Sequence, residues 1–136
     1  MSHAVGTLSP KEAWAYLQEH PTAVLVDVRS TMEFLFVGHP VGAIHIPWLE
    51  GPDWEPNPQF ISHVRQLLLG GAGGNAAVVL ICRSGVRSLE AGKALLAAGV
   101  KQVFNVAEGF EGALDAQHHR SSVGGWRYHK LPWEQC

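Results

Sequence analysis

The chain has 136 residues, of which 46% are hydrophobic and 16% are charged, and its formal net charge is −2. This composition indicates one soluble globular domain over residues 1–136, with enough apolar residues for a core. The small net charge excludes a general attraction to nucleic acid or to an anionic membrane surface, and no apolar run approaches membrane-spanning length.

The first part of the chain carries a helix-start signal between two short apolar runs. We expect an edge strand before Ser9, and the Ser9-Pro10-Lys11-Glu12 run is a capping-box pattern that opens a helix ending at Pro21. The run Ala23–Val28 then predicts a buried strand. The predicted apolar face of the helix consists of Ala13, Trp14, Tyr16 and Leu17.

A second capping-box pattern, Ser30-Thr31-Met32-Glu33, predicts a short helix that continues to about Val37. Ala43–Ile46 is a predicted brief strand. His39 precedes this strand and His45 lies within it, but no third ligand lies at a suitable spacing nearby, so no metal site is predicted.

The middle of the chain is predicted to be a loop, a helix and a connector. Trp48–Pro58 is rich in proline, tryptophan and acidic residues and is predicted to be a loop. The Gly70–Asn75 run precedes a strand and lacks the lysine of a phosphate-binding loop, so we interpret it as a flexible connector. The helix between them begins at Asn57-Pro58, and its apolar face consists of Phe60, Ile61, Val64, Leu67 and Leu68.

The clearest strand signal is the continuous apolar run Ala76–Ile81. A run this short can also belong to a buried helix, but its length and the preceding glycines favour a strand. From Leu89 onward the spacing is helical, and Gly99 suits the end of that helix. The residues in helical phase are Leu89, Gly92, Lys93 and Leu96.

After this helix, Gln102–Val106 predicts a further strand and Ala113–Arg120 a short helix, while Trp126 and Trp133 should pack the tail onto the domain. Strands therefore alternate with helices. This alternation predicts an α/β fold of three layers, with a mostly parallel central sheet and helices on both of its faces. The order of the strands cannot be read from the sequence.

The segment from Cys82 to Arg87 lies between the central strand and its helix. A loop that passes directly into a helix directs backbone N–H groups at one point, and the helix N-terminus adds positive partial charge there. Together with Arg83 and Arg87, this field favours the nucleophilic thiolate of Cys82 and attracts an anionic substrate. The alternative is a buried, inert cysteine at the end of a strand.

Asp27 and Arg29 stand at the carboxyl end of the second predicted strand. In open α/β sheets this is the edge where sites are built. We expect the two residues to form a structural ion pair that braces the sheet beside the site. An ordinary turn at the end of the strand is the alternative.

Four stretches of the chain form a recognisable pattern. They are Leu25–Arg29 with Glu33; Gly38-His39 with Gly42-Ala43 and Ile46-Pro47; the loop Cys82–Arg87; and Val106–Gly112 with Gly125-Trp126 and Leu131–Trp133. Together they resemble the rhodanese (thiosulfate sulfurtransferase) family from about Leu8 to Trp133, and the loop is the specific part. One departure is that Pro40 stands one place earlier than the proline of the family pattern.

The resemblance implies a rhodanese-like domain and a ping-pong transfer of sulfur that needs no cofactor and no metal. Cys82 would take the outer sulfur of a small anionic donor such as thiosulfate and pass it to cyanide, a thiol or a sulfur-carrier protein. Residues that would bind the substrate are Arg83, Ser84, Gly85, Val86 and Arg87, with the two arginine side chains holding the sulfonate end of the donor.

Two other functions remain open. Dual-specificity phosphatases of the Cdc25 type and related arsenate reductases resemble this fold, but their loop has one residue more than the four between Cys82 and Arg87. Rhodanese-like domains can also be non-catalytic or sulfur-carrier and regulatory modules, and the non-catalytic ones usually lack the cysteine. The presence of Cys82 favours catalysis.

The chain has two cysteines, Cys82 and Cys136, which make no disulfide framework. The amino terminus lacks the charged and apolar regions of a secretory signal. We therefore expect a cytoplasmic location, where a reducing environment preserves a reactive thiol. Cys136 is expected to be an exposed terminal thiol; the alternatives are that it resolves a persulfide or forms an intermolecular disulfide.

Overall fold

The computed structural model describes residues 4–70 and 76–135 and has a parallel sheet of five strands at its centre. The strands are β1 (Gly6–Leu8), β2 (Val24–Asp27), β3 (His39–Pro40), β4 (Ile44–His45), β5 (Val78–Ile81), β6 (Val103–Val106) and β7 (Trp133–Glu134). The order in the central sheet is β1-β6-β5-β2-β4, and every neighbouring pair is parallel. β3 and β7 form a separate antiparallel pair.

Three α-helices cover the sheet: α1 (Pro10–Glu19), α2 (Phe60–Leu69) and α3 (Val86–Ala97). Two clusters of buried side chains lie on opposite faces of β5. Val78 and Leu80 join one cluster with residues of α2 and α3, and Val79 and Ile81 join the other with Ala13 of α1. The predicted three-layer α/β architecture is therefore confirmed. β5 reads as continuously apolar because both of its faces are buried.

The start of α1 is the predicted one. The amide of Glu12 donates to Ser9 Oγ at 3.1 Å, and the amide of Ser9 donates to Glu12 Oε1 at 2.8 Å, which completes the capping box. Two N–H groups that the helix itself leaves without partners are satisfied in this way.

The predicted helix after Ser30 is a π-helical turn, Glu33–Val37, rather than an α-helix. In an α-helix the Phe34 carbonyl would accept the amide of Gly38. Here the ring Nδ1–H of His39 donates to that carbonyl at 2.8 Å, and the Gly38 amide donates to Glu33 O at 3.3 Å instead. A side-chain donor thus displaces the backbone bond and widens the turn.

Helix α3 begins at Val86, three positions before the predicted start at Leu89, and its buried face differs from the predicted one. The fully buried face consists of Ser88, Ala91, Gly92 and Leu95, whereas Leu89 is 37% exposed. Small residues face the sheet because the helix packs closely on it, and a small-residue face gives a weak hydrophobic signal. The end of the helix is as predicted: Gly99 has φ +97°, and the Val100 amide donates to Leu95 O at 3.0 Å.

The predicted helix over Ala113–Arg120 is wrong, because this segment forms turns. Asp115 Oδ1 accepts the amides of Gln117 at 2.8 Å and His119 at 2.9 Å. A short acidic side chain at this point therefore competes successfully with the helical backbone pattern.

The tail packs onto the domain through Trp126, which is fully buried and donates Nε1–H to Pro132 O at 2.8 Å. Trp133 lies in β7 and is 38% exposed, but its ring also packs on the domain, with its centroid 5.9 Å from that of the buried Phe110. The sequence did not predict the β3–β7 pair.

The tail also closes over the π-helical turn. Arg127 Nη1 donates to Val37 O at 3.1 Å, and Gln135 Nε2 donates to Phe36 O at 2.8 Å. These two carbonyls are among those that the short turn leaves without backbone partners.

Within residues 4–70 and 76–135, no helix has the length and apolar character needed to cross a membrane. Most of the predicted connector Gly70–Asn75, and also Cys136, lie outside the described residues.

Candidate active site

The loop Cys82–Arg87 joins the carboxyl end of β5 to the first turn of α3. A second turn supports it: the Phe110 amide donates to Cys82 O at 2.8 Å, and the Glu111 amide donates to Arg83 O at 2.9 Å. Gly109 has φ +67°, and a Cβ at this position would lie 2.5 Å from the Arg83 carbonyl carbon. The close packing of the two turns therefore requires glycine there.

Cys82 is one of the residues that line a small cavity. The residue is 1% exposed, and its Sγ accepts the Gly85 amide at 3.1 Å and contacts Ser88 Oγ, also at 3.1 Å. The cavity measures about 330 Å³ and is lined by Cys82, Arg83, Ser84, Val86 and Arg87. All of the loop residues predicted from the sequence except Gly85 therefore line one cavity.

The amide of Gly85 is the single loop amide that hydrogen-bonds Sγ within the described part of the chain. Gly85 has φ +107°, and a Cβ there would collide with the Ala107 carbonyl. Glycine thus allows the loop to turn its amide towards the sulfur. The sequence predicted that several loop amides would converge, and the structure brings one of them onto Sγ.

Arg87 is engaged by a carboxylate from the π-helical turn. Its Nη1 and Nη2 donate to Oε1 and Oε2 of Glu33, each at 2.8 Å. Burial raises the pKa of Glu33, but hydrogen bonds and charge from Arg87, with hydrogen bonds from Ser30, outweigh it and lower this pKa to about 2. The same ion pair acts in the opposite direction on Arg87, since hydrogen bonding to Glu33 raises the pKa of the arginine. The arginine is therefore a fixed, charge-paired wall of the cavity.

Arg83 is exposed and makes no ion pair with any residue in the described ranges. It lines the Cys82 cavity and also an adjacent one of about 500 Å³. The sequence did not identify four residues that line the second cavity with the two arginines: Ser30, Glu33, Leu49 and Trp54. The available signals were the helix-start pattern of Ser30 and Glu33, the place of Glu33 in the family pattern, and the aromatic loop around Trp54.

Asp27 and Arg29 form a fully buried ion pair beneath this site. Arg29 Nη2 donates to Asp27 Oδ2 at 2.7 Å and to Gly38 O at 2.5 Å, and its guanidinium lies 4.5 Å from the ring centre of Phe110. Because the Phe110 amide holds the Cys82 carbonyl, the pair connects β2 to the turn that supports the loop.

The two histidines near β4 are occupied by other contacts. His39 and His45 both stack on the ring of Phe34, and each donates a ring N–H to a backbone carbonyl, of Phe34 and Arg29 respectively. No group of three or more histidine, cysteine or acidic side chains that could hold a metal ion occurs among the described residues.

Replacing Glu33 by glutamine should destabilise the protein at pH 7 and much less near pH 2. The folded-state pKa of about 2 lies below the ordinary 4.5, so the stabilisation by the ionised carboxylate is complete above pH 4.5 and is lost as the pH falls towards 2. We expect the free energy of unfolding at pH 7 to fall by about 1–2 kcal/mol. This is less than the full pKa shift of Glu33 would give, because solvent screens the ion pair. Urea unfolding at both pH values measures it, and an equal cost at both would contradict the prediction.

Comparison with known proteins agrees with this architecture. Residues 9–116 match the family described as the rhodanese-like domain. The thiosulfate sulfurtransferase GlpE of Haemophilus influenzae is 30% identical over 110 residues, which are 81% of this chain and 89% of that protein. The uncharacterized protein RC0915 of Rickettsia conorii is 30% identical over 136 residues, covering 96% of this chain and 98% of its own.

Solved structures give the same result. Rv0390 from M. tuberculosis is 37% identical, with a TM-score of 0.84 over 98% of this chain and 99% of that one. The polysulfide-sulfur transferase homodimer from Wolinella succinogenes is 26% identical, with a TM-score of 0.62 over 97% of this chain and 80% of that one. The chain belongs to the rhodanese-like domain family.

Proposed function

We propose that this protein is a sulfurtransferase that carries sulfane sulfur as a persulfide on Cys82. The donor is thiosulfate or a related persulfide, and the acceptor is a thiol in the cell or cyanide in the test tube. The observation that carries the proposal is the setting of Cys82, whose Sγ accepts the Gly85 amide and which lines a cavity together with two arginines. The likeness to a thiosulfate sulfurtransferase and to a polysulfide-sulfur transferase supports it.

In the first half-reaction, the Cys82 thiolate attacks the outer sulfur of the donor. For thiosulfate, the sulfur–sulfur bond breaks, sulfite leaves with its electron pair, and the persulfide remains on Cys82. In the second half-reaction, the acceptor attacks the outer sulfur and the electron pair of the broken bond returns to Cys82. The transferred sulfur keeps the same oxidation level in the donor, in the persulfide and in the product. The reaction therefore consumes no oxidant or reductant, and no cofactor is needed.

The two arginines have different parts in this reaction. Arg83 is exposed and unpaired with any described residue, so its guanidinium is available to the anionic end of the donor. Arg87 is already paired with Glu33 and serves mainly to shape the cavity. The Gly85 amide, which donates to Sγ, stabilises the thiolate of Cys82 and the negative charge that returns to Sγ in the second half-reaction. The reducing cytoplasm suits this thiol chemistry, and a sulfur-carrier protein is a suitable acceptor.

Phosphatase chemistry is less compatible with this loop. A phosphatase needs its loop arginine to hold the oxyanion together with a ring of amides, whereas Arg87 here is held by both oxygens of Glu33. With four residues between Cys82 and Arg87, the loop is also one residue shorter than that of the phosphatases that resemble this fold. A cavity of about 330 Å³ that is lined by Cys82 and two arginines argues against a purely structural module.

Incubation with thiosulfate tests the proposal directly. We expect sulfite release and the addition of one sulfur atom on the peptide that contains Cys82, followed by its loss when cyanide or a dithiol is added. Mass spectrometry of the peptides and a sulfite assay measure the two products. Sulfur on Cys136 and not on Cys82, or aryl-phosphate turnover comparable to that of thiosulfate, would contradict the proposal.

A further inference from the structure

A buried hydroxyl stands between the Cys82 thiol and a side-chain amide of β6. Ser88 lies in the first turn of α3 and is fully buried. Its Oγ lies 3.1 Å from Cys82 Sγ and 2.5 Å from Asn105 Oδ1. The rest of the buried face of α3 carries no polar side chain, so the hydroxyl is placed there at a cost that only its hydrogen bonds offset.

The orientation of Asn105 is set by its second contact. Its Nδ2 donates to the Gly85 carbonyl at 3.1 Å, which leaves Oδ1 directed at Ser88 as an acceptor. The backbone of Gly85 is therefore bound at both of its polar groups, since its amide donates to Cys82 Sγ and its carbonyl accepts from Asn105. Asn105 thus holds the loop through the Gly85 carbonyl and contacts the serine hydroxyl at the same time.

Counting protons gives two arrangements of this cluster. Serine has one hydroxyl proton, and Asn105 Oδ1 can only accept. When Cys82 is a thiol, its S–H donates to Ser88 Oγ and the Ser88 O–H donates to Asn105. When Cys82 is a thiolate, Sγ can only accept, so Sγ and Asn105 Oδ1 compete for the same hydroxyl proton.

We propose that Ser88 is a positioning residue whose O–H turns from Asn105 to Cys82 when the thiol loses its proton to solvent. Ser88 keeps its own proton throughout. The hydrogen bond to Sγ stabilises the thiolate, and Asn105 limits this effect by drawing the proton the other way. Charge-assisted hydrogen bonds are the stronger kind, so the bond to Sγ forms mainly in the ionised state.

If the protein transfers sulfur as proposed, the same contacts of Ser88 affect the second half-reaction. In the persulfide the negative charge lies on the outer sulfur, and Sγ is a weak acceptor. As the acceptor removes the outer sulfur, charge returns to Sγ and the Ser88 O–H can turn to meet it. Ser88 therefore makes Cys82 a better leaving group when the persulfide is discharged.

Alkylation of Cys82 by iodoacetamide tests the switch without requiring sulfur transfer. The pH dependence of the rate is followed by mass spectrometry on the peptide that contains Cys82. For Ser88→Ala we expect the midpoint to rise by about one pH unit, with about tenfold slower alkylation well below it. Alanine favours a helix, so this variant should fold. The control is Ser62→Ala, the same change at an exposed position of α2, which should not move the midpoint.

The variant Asn105→Leu tests the competition for the Ser88 proton. It also removes the contact of Asn105 with the Gly85 carbonyl, so Ser88→Ala is compared in the wild type and in the Asn105→Leu background, where that loss is common to both members of the pair. With Asn105 Oδ1 gone, the Ser88 proton belongs to Sγ alone, so Ser88→Ala should raise the midpoint more in the Asn105→Leu background than in the wild type. If Ser88→Ala leaves the wild-type midpoint unchanged, or raises it no more in the Asn105→Leu background, the switch is wrong. Failure of the wild type to release sulfite would reject the proposed function and leave this result interpretable.

Discussion

Replacing Cys82 by serine should abolish sulfite release from thiosulfate, with a fall on the order of 10³-fold or more. A serine hydroxyl is a weak nucleophile without a general base. The groups in contact with this position, the Gly85 amide, the Ser88 hydroxyl and through it Asn105, are not bases. The replacement is close in volume, so the fold should remain, as checked by circular dichroism and by thermal unfolding.

The matched control for this experiment is the other cysteine. Cys136→Ser should retain the sulfite release of the wild type, because the proposed chemistry requires only the thiol in the loop. Activity that persists in Cys82→Ser, or that disappears in Cys136→Ser, would reject the persulfide mechanism on Cys82.

Removing the carboxylate of Asp27 should destabilise the protein by about 3–5 kcal/mol, because it leaves a buried guanidinium without its counter-charge. Arg29 would retain only the Gly38 carbonyl and the Phe110 ring, in a position with no solvent access. This is a large share of the ~5–15 kcal/mol that stabilises a typical domain. Urea unfolding of Asp27→Ala measures the loss.

A double-variant cycle separates the ion pair from the volume that is lost. Arg29→Met should also be strongly destabilising, and Asp27→Ala combined with Arg29→Met should cost less than the sum of the two. Arg65→Met is the control, since Arg65 is exposed and its change should have a small effect. Additive costs at positions 27 and 29 would show that the pair contributes nothing as a pair.

Much of the fold could be predicted because its signals are local. The apolar run of β5, the capping box of α1 and the glycine after α3 each lie within a few neighbouring residues. The failures have local causes as well: the His39 ring and the Asp115 carboxylate each supply a hydrogen bond that replaces the helical backbone pattern. Sequence patterns do not show where a side-chain hydrogen bond will replace one of the backbone.

The candidate site divides in the same way. The loop from Cys82 to Arg87 is contiguous, and its residues line one cavity with the exception of Gly85. The contacts that set its chemistry are not contiguous: Glu33 reaches Arg87 from another turn, and Asn105 reaches Ser88 from a neighbouring strand. Spacing along the chain carries no information about these pairs, because only the assembled sheet brings them together.

The pairing of β7 with β3 has a consequence for the way the molecule is made. Residues 133 and 134 leave the ribosome after every strand of the central sheet, yet they pair with the segment that directly follows the turn bearing Glu33. Arg127 and Gln135 also hold carbonyls of that turn. We therefore expect a nascent chain to form the loop that carries Cys82 before residues 133 and 134 are available to fix the turn that bears Glu33.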